Sequence, residues 1–84
     1  MLIAVDYDKT ISADPEFFDD FFHLARRHGH KCYVVTMRSK ELDWDDEFLR
    51  INFDHEIETV FCDGLPKRQY CEEQGLNFDW WFDD

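Results

Sequence analysis

The chain is 84 residues long, 44% hydrophobic and 18% aromatic, with a formal net charge of −11. That length makes a single domain over residues 1–84, with one core near the lower size limit for folding without staples. So negative a charge works against broad electrostatic binding to nucleic acid or anionic lipid, and no apolar run is long enough to span a membrane.

The first element is Leu2-Ile3-Ala4-Val5, a short apolar strand that breaks into Asp6-Tyr7-Asp8-Lys9-Thr10. Successive strand side chains alternate faces, so Asp6 and Asp8 share one if the extended geometry persists. Two carboxylates that close need a cation or a shared proton. Met1 leads directly into this strand with neither a basic segment nor an apolar signal core, so secretion is not expected. Cys32, Cys62 and Cys71 are odd in number and form no CxxC, so they read as reduced, mostly buried thiols in a cytoplasmic protein. His23, His28, His30 and His55 lack clear zinc-ligand spacing.

Asp14 at N-cap and Pro15 at N1 predict a helix start. Phe17, Phe18, Phe21, Phe22 and Ala25 recur at helical spacing as its core face, and Gly29 closes it. Lys31 to Thr36 reads as a second strand, and residues from about Leu42 to Ile51 as a weaker amphipathic helix. Glu58 to Cys62 is a third strand stopped by Asp63-Gly64, where Asp63 reads as a turn residue. Pro66 opens a short helix that Gly75 ends, and Phe78 to Phe82 is a fourth apolar run before Asp83-Asp84. The acidic runs at Asp19-Asp20 and Glu41 to Glu47 read as solvated helix faces. Trp44 and Trp80 read as core or partly buried rather than as platforms for a base.

Strand–helix alternation of this kind predicts an α/β fold, a Rossmann-like three-layer sandwich on a small parallel sheet of about four strands. Ligands of such sheets collect beyond the carboxyl ends of the strands. The residues just past each apolar run therefore make up the candidate site: Asp6 and Asp8, then Thr36 and Arg38, then Lys67, then Asp83 and Asp84. A carboxylate there can accept a phosphoryl group and pass it to water, while a second carboxylate moves the protons. Mg²⁺ suits a few carboxylates plus water, with Asp6 joined by Asp83 or Asp84; Asp79, inside the strand run, is a poorer third choice. Thr36 and Lys67 suit phosphoryl oxygens, with Arg68 able to replace Lys67, and Arg38 suits an incoming phosphate.

With these segments in view, the chain resembles the haloacid dehalogenase-like superfamily. The matching segments are Asp6-Tyr7-Asp8-Lys9-Thr10 for DxDx[TV], Thr36 after the second strand, the downstream Lys67 and the acidic pair after Trp80-Trp81-Phe82. The resemblance implies Asp6 as nucleophile and Asp8 as general acid and base, with Thr36 and Lys67 on phosphate. It also implies Mg²⁺ on Asp6, the Asp8 backbone carbonyl and a terminal Asp. Family members commonly carry Gly where Lys9 stands, and a cap that these segments are too short to hold. A minimal uncapped core of this type implies a phosphomonoester hydrolase with an open site for a bulky phosphate, including a nucleotide or nucleic-acid end. The competing readings are a degenerate, non-catalytic binding module and a phosphoacceptor signalling domain, which would place its Thr and Lys on later strands.

Overall fold

The computed structural model describes residues 1–38, 50 and 55–83. The helix expected from about Leu42 to Ile51, Trp44 and Asp84 lie outside the described residues, Arg50 excepted. Among the described residues the elements are β1 (Leu2–Val5), α1 (Pro15–Arg27), β2 (Lys31–Thr36), β3 (Glu58–Phe61), α2 (Lys67–Glu73) and β4 (Trp80–Phe82). The four strands form one sheet in the order β3-β2-β1-β4, with every pairing parallel. This is an α/β fold.

α1 begins as its sequence dictates. The Asp14 carboxylate accepts the Phe17 N–H at 3.3 Å, and Pro15 occupies the first helical position, where no N–H is needed. Gly29, at φ +82°, turns the chain into β2. We expect Asp14→Ala to cost about 1 kcal/mol, seen as an earlier chemical-denaturation midpoint; an unmoved midpoint would show the cap to be dispensable.

Alternation along β1 divides the core. Ile3 and Val5 pack with Phe18 and Phe22 of α1, together with Tyr7, Ile11 and Val34. Ala4 joins Tyr33, Val35, Cys62 and Cys71 in a second cluster, lined by Tyr70 of α2 and by Trp81. The three cysteines are free thiols, Cys62 and Cys71 buried and Cys32 half-buried. No helix among the described residues is long and apolar enough to cross a membrane.

Three expectations need correction. Phe17 is not core: it is 51% exposed, one position out of phase with the Phe18–Phe22–Ala25 stripe, and lies stacked on Phe21. β4 starts at Trp80 rather than Phe78, because Asp79 is used to tie down the start of β1. Its carboxylate accepts the Leu2 N–H and its own N–H donates to the Leu2 carbonyl, each at 2.8 Å. Asp19 is not merely a solvated helix residue, since it accepts from Arg50 at 2.9 Å and pairs with the buried His55 at 2.8 Å. Burial works to raise the Asp19 carboxyl, but the hydrogen bonds and charges of Arg50 and His55 outweigh it and hold it below the ordinary value.

Candidate functional site

The strand order sets the location. β1 connects through α1 to β2 on one side of it, whereas β4, entered from β3 and α2, lies on the other. The β1–β4 boundary is therefore the switch point at which open α/β sheets hold ligands. Val5 pairs with Phe82, so one further residue sets Asp6 opposite Asp83. The Asp6 N–H donates to the Phe82 carbonyl at 2.9 Å and continues the ladder to that point.

Parallel neighbours stand about 4.8 Å apart, so these two carboxylates need a cation between them. Lys67 supplies it. Its Nζ lies 3.4 Å from Asp6 Oδ2 and 2.5 Å from Asp83 Oδ1. The turn that delivers Lys67 uses left-handed backbone at Asp63 (φ +51°) and Gly64 (φ +82°), then Pro66 ahead of the first helical residue. It is fastened to the end of β2: the Cys62 N–H donates to the Thr36 carbonyl and the Gly64 N–H to that of Met37, both at 2.8 Å. Asp63 is thus a turn residue, as expected.

Electrostatically, the two sides of the pair differ. Burial dominates at Asp6 and pushes its carboxyl above the ordinary value, with the Lys67 charge opposing. Burial also works to lower the Lys67 ammonium, but the hydrogen bonds and charges of Asp83 and Asp6 overcome it and raise that group. Asp6 is only 8% exposed, which makes desolvation the larger force there, whereas Lys67 has two carboxylates to oppose it. A carboxylate made more basic by burial yet kept beside a cation is suited to nucleophilic work.

Asp8 comes next on extended backbone (φ −68°, ψ +128°), after Tyr7 has anchored the loop in the core, and Lys9 turns left-handed at φ +62°. The Lys9 N–H donates to Ser12 Oγ at 3.0 Å, while the Ile11 and Ser12 N–H groups close the turn on the Asp6 and Tyr7 carbonyls. The Asp8 side chain is gripped by Arg38, with Nε 2.9 Å from Oδ2 and Nη2 2.5 Å from Oδ1. Thr36 is fully buried, and its hydroxyl accepts the Arg38 N–H at 3.2 Å.

Of the residues expected at the site, Asp6, Lys67 and Asp83 thus meet at one point, and Asp8, Arg38 and Thr36 form a second linked set beside them. Arg68 lies instead over the Trp81 ring, its guanidinium 5.1 Å from the centroid. Asp84 is outside the described residues. Among the described residues, no three His, Cys, Asp or Glu side chains converge as a metal-binding group. Sequence reasoning misses the Asp8–Arg38 pairing. Its signal is the register: extending Val5 opposite Val34 by three residues sets Asp8 against Met37, the neighbour of Arg38.

No family model and no solved structure matches the chain. A thymidylate kinase of Ehrlichia chaffeensis (strain ATCC CRL-10679 / Arkansas) is 34% identical over 67 residues, a match covering 64% of this chain and 31% of the kinase. The chain therefore spans less than a third of the curated relative that it matches.

Proposed function

We propose that this chain is a Mg²⁺-dependent phosphomonoester hydrolase, a minimal, uncapped haloacid dehalogenase-like core in a three-layer, Rossmann-like arrangement. The observation that carries the reading is the meeting of Asp6, Asp83 and Lys67 at the carboxyl edge of a parallel sheet, at its switch point. Lys9 adds support: it stands where the resembled family commonly has glycine, and its φ of +62° is the conformation that glycine adopts freely.

In this mechanism Asp6 Oδ attacks the substrate phosphorus as the bond to the leaving oxygen breaks, and Asp8, as the carboxylic acid, gives that oxygen its proton. Water then attacks the phosphorus of the aspartyl phosphate and loses a proton to the Asp8 carboxylate. Asp6 is restored and inorganic phosphate leaves. Lys67 binds the phosphoryl oxygens as charge develops on them, and Thr36 donates its hydroxyl proton to the same group. Two carboxylates from adjacent strands that already reach one cation fit a metal content with one or two carboxylates plus water. Asp6 and Asp83 would hold Mg²⁺, with the Asp8 carbonyl and Asp84 as further candidates. When bound, the ion supplies positive charge that offsets the repulsion between Asp6 and a phosphate dianion.

One observation favours a different reaction, namely the similarity to a thymidylate kinase. A phosphate cradle of the GxxxxGK[ST] kind is not written in these residues, whose only glycines are Gly29, Gly64 and Gly75. The two readings separate in one experiment. With Mg²⁺, the protein is given an aryl phosphate, a nucleotide end phosphate on an oligonucleotide, or thymidylate with ATP. Release of inorganic phosphate from the first two, lost in Asp8→Asn, is the expected result. ATP-dependent formation of a nucleoside diphosphate would replace it with the kinase reading. Stable phosphorylation by a small phosphodonor without turnover would indicate a phosphoacceptor domain, and inertness in every assay a binding module.

A further inference from the structure

Arg38 departs furthest from its expected role. A guanidinium placed two residues beyond Thr36 suits an incoming phosphate, yet it holds Asp8 through two parallel hydrogen bonds and lies 5.5 Å from the centroid of the buried Tyr7 ring. With both oxygens accepting from one guanidinium, the Asp8 carboxyl has neither oxygen free to face a substrate. In this arrangement Asp8 is engaged by Arg38 rather than presented to a leaving group. Its side chain is 44% exposed and that of Arg38 32%, so both remain within reach of a ligand in solvent.

A phosphate dianion presents the same paired oxygens as a carboxylate, with more charge, and the guanidinium fork fits either. Asp6, Asp8 and Asp83 outnumber Lys67 and Arg38, so an anion arriving at Asp6 gains from a cation released by its existing partner, beyond the charge that Mg²⁺ would supply. The Arg38 backbone is fastened to the Thr36 hydroxyl, so a side-chain rotation suffices.

We propose that Arg38 is a latch operated by phosphate. In the ligand-free protein it occupies both Asp8 oxygens, and a phosphate dianion draws the guanidinium away, leaving that carboxyl free to face the leaving oxygen. The proposal rests on the phosphatase reading of Asp8 and adds to it a basis for selectivity. Only a ligand that can compete for the guanidinium frees the Asp8 carboxyl, so phosphomonoester dianions are favoured over phosphodiesters and sulfate esters. Arg38 is a positioning residue in the resting protein and a phosphate ligand in the occupied one.

The test is a double-mutant cycle on the binding of inorganic phosphate, measured by titration calorimetry on wild type, Asp8→Asn, Arg38→Met and the double variant. Arg38→Met weakens binding about tenfold, the size of one charge-assisted contact. Asp8→Asn tightens it about fivefold when Arg38 is present and leaves it unchanged in the Arg38→Met background, because the competition has gone. Simple repulsion between Asp8 and phosphate would tighten binding equally in both backgrounds and would overturn the latch alone. A second readout needs no destabilising variant: the Arg38 Nε–H resonance of the wild-type protein, assigned by its loss in Arg38→Lys, moves as phosphate saturates. A resonance that stays fixed at saturation overturns the latch while leaving turnover untouched as the test of the hydrolase. Failure to bind phosphate, together with failure to hydrolyse any ester, overturns both.

Discussion

Asp6→Asn abolishes turnover, by at least about a thousandfold, and leaves the metal-free protein within about 1 kcal/mol of wild-type stability. The pairing of those two outcomes is what makes the experiment informative. The amide has the shape of the carboxylate but cannot attack phosphorus, so the first step has no nucleophile. Stability is spared because burial disfavours the ionised carboxylate at this position and raises its proton affinity above that of an ordinary Asp. Folded Asp6 holds a proton more tightly than the unfolded chain does. Its contribution to stability is therefore greatest below the ordinary value of 3.8 and falls as pH rises through the raised folded value. At neutral pH the carboxylate is a net cost in this location, and Asn removes it. Lys67 is not orphaned by the change, since Asp83 remains 2.5 Å away. Melts of the two proteins across pH 4 to 7, roughly the carboxylate range and above, give the check. The variant loses the acid-side gain that wild type owes to this group. Retention of more than about a tenth of the activity would remove Asp6 from the nucleophile's role.

A buried carboxylate that weakens the fold at neutral pH is also where local sequence rules say least. The opening strand, α1 and β2 were legible because their signals are local: an apolar run, an Asp14-Pro15 start, a glycine stop and a β-branched strand ending at Thr36. The gathering of Asp6, Lys67 and Asp83 was legible too, since strand–helix alternation commits every strand's carboxyl end to one edge. Phe17 reads as core because five apolar residues crowd two turns, and helical spacing alone does not say which stripe faces inward. Packing against Ile3 and Val5 chooses Phe18 and Phe22. The choice of ion-pair partners was hidden for a different reason. Arg38 could be placed at the correct strand end, but whether it meets phosphate or Asp8 depends on a register between β1 and β2 that neither segment encodes alone. Likewise Asp79 looks like a strand residue until the start of β1 is set beside it.

Lys67→Met is the complementary case, with a large expected loss of stability as well as of activity. Removing the ammonium leaves the Asp6 carboxylate and Asp83 side by side on adjacent strands, and Asp6 buried without that counter-charge. Breaking a desolvated ion pair from one side costs about 3 kcal/mol, because the surviving charge stays buried. While Asp6 and Asp83 are ionised, wild type holds this stabilisation below the ordinary lysine value of 10.5 and loses it as pH climbs through the raised folded value. The variant lacks that alkaline limb altogether. Activity falls by about a hundredfold or more with the loss of a cation at the developing charge. The metal distinguishes a catalytic centre from an ordinary ion pair. If Asp6 and Asp83 are ligands, a divalent cation takes the vacated charge position, and saturating Mg²⁺ returns about 2 to 3 kcal/mol by mass action. The rise in melting temperature with Mg²⁺ should then be larger in the variant than in wild type, where the ammonium and the ion compete for the same two carboxylates. Melts that ignore Mg²⁺ in both proteins would leave Lys67 a structural cation and would take the metal out of the mechanism. A Lys67→Met protein as stable as wild type at neutral pH would mean that Asp6 and Asp83 were never held in opposition, and the site would lose the contact on which it is built.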